Sequence, residues 1–276
     1  MLDYIDQDYL AFFTKMRVEL TRALLATPPI HPTHWQKLDV SASPMHATYE
    51  LRNVVLSFYG VGLAGSLEQA VPADLPWAED HFRERVSGQP MNPGKAHAYW
   101  PYHGRSAALH QRDDEKRYDH NYMERFWPKN AGDRDRGEGW RQKAGPGRGM
   151  TSHGYRFPIG DLGDVVRLLR REPTTRQAFL PVWFPEDTGS TEGQRVPCTL
   201  GYHFIIRNGE LHCSYFLRSC EIYRHFTNDV YLAVRLMQWV GNQVGVPCGE
   251  LTMFITSLHG FVGDRTRIEG LATWNE

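Results

Sequence analysis

This sequence has little cysteine: Cys198, Cys213, Cys220 and Cys248, all in the last third, with no paired spacing of the kind that grips a metal ion. A chain of 276 residues can bury a core without disulfides, so reduced thiols are expected, and no metal. Net charge is also lacking, since 31 basic residues face 32 acidic ones for a formal charge of −1. Nothing global therefore draws the chain to nucleic acid or to an anionic membrane. No apolar run is long enough to span a bilayer, and the first residues lack the basic patch and apolar stretch of a leader. A soluble, cytoplasmic protein is the expectation.

What is present is organised around the stretch Arg195 to Phe261. Tyr202, Phe204 and Ile206 alternate with Gly201, His203 and Ile205, Asn208-Gly209 supplies a tight turn, and Leu211 to Leu217 returns as a second strand. Cys198 stands near one end of this hairpin and Arg218 near the other. For a cysteine taken alone an inert buried thiol is the default. Cys198 departs from it because it directly follows Pro197 at the head of a strand. A helix comes next, with Asn228 or Asp229 as its N-cap and Val230, Ala233, Val234, Met237, Val240 and Val244 at three- and four-residue steps. Leu232, Leu236 and Trp239 fill the other side, so the helix should be buried nearly all round. A last strand runs from Leu251 to Leu258 and ends at His259.

Upstream, Asp6 to Ala26 reads as an amphipathic helix carrying Tyr9, Phe12, Phe13, Met16, Leu20 and Leu24 on one side. The pattern from Thr33 to Tyr59 suits strands, Trp77 to Val86 a short helix, and Asp161 caps a helix through Arg171. Residues 130–156 are rich in Gly and Arg and read as an insertion loop. Its basic residues could suggest RNA binding, but Asp133, Asp135 and Glu138 interleave with them and favour a solvated loop.

The run Pro197-Cys198, Arg218-Ser219, Gly249-Glu250 and His259 resembles the C-terminal half of thymidylate synthase and its relatives, the pyrimidine-nucleotide hydroxymethylases. The family pattern lies on Cys198 to His259 without insertion or deletion. The resemblance implies a single domain over 1–276 of the α+β class, a large mixed sheet flanked by helices, and a homodimer packed sheet to sheet. It implies a pyrimidine nucleoside monophosphate as substrate and 5,10-methylenetetrahydrofolate as cosubstrate. It also implies that Arg218 binds phosphate with Ser219 beside it, that Arg176 reaches the partner's phosphate, and that His259 touches the sugar. Gln177 replaces the second arginine of that pair, and the family's Gly/Thr-rich phosphate loop near the start is not found. Asn121 to Trp127 resembles the segment lining the folate and base pocket, so Tyr122 and Trp127 are expected to stack on a pterin, or else to be a buried aromatic pair. Lys129 is expected near the sugar. Glu84, with Glu79 second, is expected to organise water at the ring, unless this is a solvated helix face. The tail after Phe261 looks abbreviated, and Phe261 lacks the hydroxyl that the family's tyrosine offers the sugar.

At the base-reading position, where thymidylate synthases carry asparagine, the register places Asp229, and this is similar to the cytidylate hydroxymethylases. The chemistry agrees: cytosine offers an amino donor at N4 that a carboxylate accepts. Two alternatives stand beside this, Asp229 as a helix cap and Asn228 as the reader of uracil. The expected reaction has Cys198 adding to C6, a one-carbon unit joining C5, and water completing a 5-hydroxymethyl product on dCMP or CMP. The rivals are a synthase-like methyltransferase acting on dUMP or dCMP with hydride transfer, and a non-catalytic nucleotide- or RNA-binding protein.

Overall fold

The computed structural model describes residues 2–35, 38–60, 67–102, 118, 120–129, 160–188 and 195–273. The expected 130–156 loop lies outside these residues. In chain order the elements are α1 (Leu2–Leu25), β1 (His34–Trp35), β2 (Leu38–Asp39), β3 (Thr48–Tyr59), α2 (Leu67–Ala70), α3 (Trp77–Arg85) and α4 (Tyr122–Phe126). Then come α5 (Leu162–Arg171), β4 (Phe179–Pro181), α6 (Pro185–Thr188), β5 (Thr199–Arg207), β6 (Glu210–Leu217), β7 (Cys220–Glu221), α7 (Phe226–Val244), β8 (Cys248–Phe261) and α8 (Arg265–Leu271).

The main sheet has the order β3-β8-β6-β5-β4, with β7 pairing β8 beside it. It is mixed: β3 meets β8 antiparallel, β8 meets β6 parallel, and β5 is antiparallel to both β6 and β4. The parallel pair requires a crossover, and α7 supplies it. Asn208 and Gly209 both have positive φ, 53° and 81°, and Arg207 pairs with Glu210. These values define the primed turn that an Asn-Gly pair favours, so the hairpin forms where its sequence predicts. β4 is shorter than the apolar run from Ala178 to Phe184. Pro181 has no N–H to donate, which confines it to an edge.

α7 starts earlier than the expected cap. Its cap position is His225, which makes no side-chain capping bond, and Asn228 and Asp229 fall inside the first turn. The reason is that the Asn228 amide is committed elsewhere: it accepts from Asp74 N at 2.9 Å and donates to Asp74 Oδ2 at 2.8 Å and to Arg224 O at 3.1 Å. The helix is buried on most sides, as its composition predicts, and Gly245 closes it at φ +78°. α5 has the reciprocal capping box of Asp161 and Asp164, worth about 1 kcal/mol. α1 packs with Phe13 2% exposed, while Phe12, expected on the same buried side, is 52% exposed.

One face of the sheet carries α7 and the core. On the other, Val55, Phe179 and Phe254 are exposed, with Phe254 stacked on Phe216 at 5.0 Å. A buried ion pair between Arg125 and Asp187, bidentate at 2.8 and 3.0 Å, ties α4 to α6. No helix among the described residues is long and apolar enough to cross a membrane.

Candidate active site

A cleft of about 1010 Å³ opens between α3, the start of β5, the β6–α7 connection and the end of β8. Cys198 lies on it at the head of β5. Arg218 fixes the approach to that residue: its Nε donates to Pro197 O at 2.9 Å, its Nη2 to Val196 O at 3.2 Å, and its backbone N to Cys198 O at 2.9 Å. Ser219 Oγ donates to the sulfur at 3.4 Å. Of the four cysteines Cys198 alone is half-buried; burial pushes the thiols of Cys213 and Cys220 well up and that of Cys248 to about 11.

Asp229 lines the same cleft from the first turn of α7. Desolvation raises its carboxyl to about 6, against the opposing pull of the Arg85 charge, and Cys220 Sγ donates to Oδ2 at 3.4 Å. Tyr122 also lines the cleft, with its hydroxyl 3.2 Å from Thr199 Oγ1, which is in turn 2.9 Å from Tyr215 Oη. A chain of hydroxyls thus runs from the cleft into the sheet. His259 and Phe261 meet edge to face at 5.7 Å, and His259 Nδ1 is buried with no partner among the described residues.

Opposite lies an aromatic wall. Trp77 stacks on His81 at 5.1 Å and Trp100 on His225 at 5.7 Å, with Tyr102 edge-on. The indole N–H groups of Trp77 and Trp100 are buried without an acceptor among the described residues. Burial keeps His81 neutral, its pKa down to about 4, and His225 at about 3. Glu221 is buried on the same cleft, accepts from Tyr223 N at 3.1 Å and Arg224 N at 2.5 Å, and is raised by desolvation to about 7.

Several expected site residues stand elsewhere. Glu84 does not line the cleft: its Oε1 accepts from Ala96 N at 3.0 Å, and its Oε2 is buried 3.9 Å from His81 Nδ1. Glu79 is spent on Arg235, at 2.8 and 2.9 Å, and on Tyr231. Trp127 is packed in the core with its N–H on Arg85 O at 2.8 Å and does not line the cleft. Lys129 pairs with Asp161 at 3.0 Å and Asp164 at 3.1 Å, at the start of α5. Asn228 reaches the cleft wall, but its amide is consumed by Asp74 and Arg224. Arg176 is exposed beside the edge strand and is not on the cleft. Conversely, Arg85, His81, Trp100, His225 and Glu221 carry no distinguishing signal in the sequence. A helix reading Glu-Arg-Val after His-Phe-Arg presents charges on every side, and only its packing decides which face is inward.

Fold and cleft together define a class: an α+β protein in which a half-buried thiol, a desolvated carboxyl and an arginine-braced loop surround one cavity. The chain belongs to the thymidylate synthase family, whose model, described as thymidylate synthase, matches residues 113–269. Similar proteins bear the name "Putative thymidylate synthase". That of Methanothermobacter thermautotrophicus is 34% identical over 120 residues, 43% of this chain and 52% of its own. That of Methanosarcina barkeri is 25% identical over 123 residues, 45% of this chain and 56% of its own. The chain spans about half the length of these relatives.

Proposed function

We propose that the protein is a pyrimidine-nucleotide hydroxymethylase that adds a one-carbon unit to C5 of dCMP or CMP, with water completing the 5-hydroxymethyl product. The observation that carries this reading is that Cys198 and Asp229 line one cleft, the first half-buried and the second raised to about 6. A carboxyl poised there can accept from the cytosine amino group when ionised and donate to N3 when protonated. Either contact holds the N3–N4 edge of the ring and leaves C6, across the ring from N3, free for the sulfur.

In this reading Cys198 is the nucleophile and Ser219 orients its sulfur. Arg218 holds the phosphate, joined by Arg176 from a second copy packed on the exposed Val55, Phe179 and Phe254 face, and His259 holds the sugar. 5,10-Methylenetetrahydrofolate supplies the one-carbon unit. The two unpartnered indole N–H groups on an aromatic wall suit a flat heterocycle rich in acceptors. A second reading, favoured by the names of the relatives, is a synthase-like methyltransferase acting on dUMP or dCMP.

Release of tritium from C5 of labelled CMP, dCMP and dUMP tests the adduct. Release that depends on Cys198 and favours a cytidylate supports the reading; no release from any of the three refutes it. Dihydrofolate absorbance separates the two enzymes, because it rises only when hydride is transferred.

A further inference from the structure

Among the described residues, Arg85 is a buried cation without an anion. It is 5% exposed, and its guanidinium lies 4.1 Å over the Tyr122 ring on the cleft wall. Its only side-chain hydrogen bond is from Nε to His81 Nε2 at 3.1 Å, which leaves the two terminal nitrogens without an acceptor among the described residues. No carboxylate there comes within ion-pair distance, although Asp229 feels its charge. Taking a guanidinium out of water with no counter-ion is costly unless a ligand supplies one. The Trp127 N–H on its carbonyl anchors the backbone at this end of α3.

The orientation is enforced from behind. Because His81 accepts at Nε2, its proton sits on Nδ1, which faces Glu84 Oε2 at 3.9 Å, and the other oxygen of Glu84 is anchored by Ala96 N at 3.0 Å. Glu84 thus faces His81 from behind, and the His81 acceptor aims Arg85.

We infer that Arg85 is a catalytic residue that faces the pyrimidine and takes up the negative charge released into the ring when Cys198 adds to C6. This rests on the proposed function. In that step the thiolate electron pair forms the S–C6 bond, and the C5–C6 π pair moves onto C5 and, by conjugation through C4, onto N3. No proton moves and no group leaves, so one negative charge passes from sulfur to ring. Asp229 as a carboxylate would repel that charge, and Arg218 is already donating to the carbonyls of Val196 and Pro197. Among the described residues Arg85 keeps two terminal nitrogens without an acceptor, and it is fixed in place before the reaction, which is where such stabilisation is most effective. His81 and Glu84 are positioning residues.

The test uses the full chain, tritium release from C5 of CMP, dCMP and dUMP, and nucleotide dissociation constants measured in parallel. Arg85→Met is expected to slow exchange by about 10²–10³-fold while nucleotide affinity changes little. Arg85→Lys should recover part of the loss, and added methylguanidinium should partly rescue Arg85→Met. His81→Leu, which removes the acceptor but not the charge, should lose less rate, again without losing affinity. Exchange at the wild-type rate in Arg85→Met, or affinity and rate falling in proportion, overturns the inference. If Arg85→Met fails to fold, wild-type exchange in His81→Leu overturns it. A wild-type chain that exchanges nothing overturns the proposed function as well, whereas active wild type with indifferent variants overturns this inference alone.

Discussion

Replacing Asp229 with asparagine should make the protein more stable at neutral pH while spoiling the recognition of its substrate. The carboxyl is carried from its ordinary 3.8 to about 6 by desolvation. Each unit of difference is worth about 1.4 kcal/mol, so ionising the group in the folded protein costs up to about 3 kcal/mol. The sign follows from the direction. Below pH 4 the group is protonated whether the chain is folded or not, and the cost is absent. Between pH 4 and 6 the unfolded chain ionises first, so the wild type loses stability as pH rises; above 6 the cost is complete and constant. Glu221, raised to about 7, adds its own slope, but it is present in both proteins and cancels in the difference. Urea unfolding of wild type and Asp229→Asn, followed by tryptophan fluorescence at intervals from pH 4 to 7.5, measures that difference directly. It should grow by up to about 3 kcal/mol over this range and then level off. The same variant should shift C5 exchange from cytidylates toward dUMP, since an amide can both donate and accept. A difference in stability that is flat across the range would show that the carboxyl is not desolvated. An unchanged nucleotide preference would show that it does not meet the base.

Cys198→Ala should abolish C5 exchange while shifting the thermal midpoint by no more than a few degrees, since the side chain is only half-buried. Arg125→Met leaves Asp187 buried and uncompensated, and should cost about 3–5 kcal/mol in urea; an unchanged midpoint would mean the pair is not formed. Asn228→Ala removes the clasp on Asp74 and should cost on the order of 1–3 kcal/mol, with faster amide exchange around Asp74 as the local signature.

The parts of this molecule that the sequence discloses are those fixed by neighbours along the chain. The Asn208-Gly209 turn, the Asp161 cap and the alternation of β5 and β6 depend on local geometry and are found as expected. The setting of Cys198 between proline and strand is local too. The start of α7 departs from its expected place because Asn228, a good cap by type, is claimed by Asp74, a residue from a distant stretch that no local pattern can bring in. Arg85 is hidden in the sequence for a related reason. Successive residues on a helix point about 100° apart, so Glu84 and Arg85 cannot share a face. Which of them reaches the cleft is decided by the tertiary partners Tyr122, Trp127 and Ala96. Lys129 follows the same rule, drawn to the carboxylates of a helix that begins far along the chain.

The brace around Cys198 links two ends of the ligand. Arg218 spends two nitrogens on the carbonyls that carry the cysteine, so whatever the remaining nitrogen grips also tightens the segment that presents the sulfur. In the proposed hydroxymethylase that anion is the phosphate. A nucleoside stripped of its phosphate therefore forfeits turnover as well as affinity, and adding inorganic phosphate to it should recover some of the lost rate.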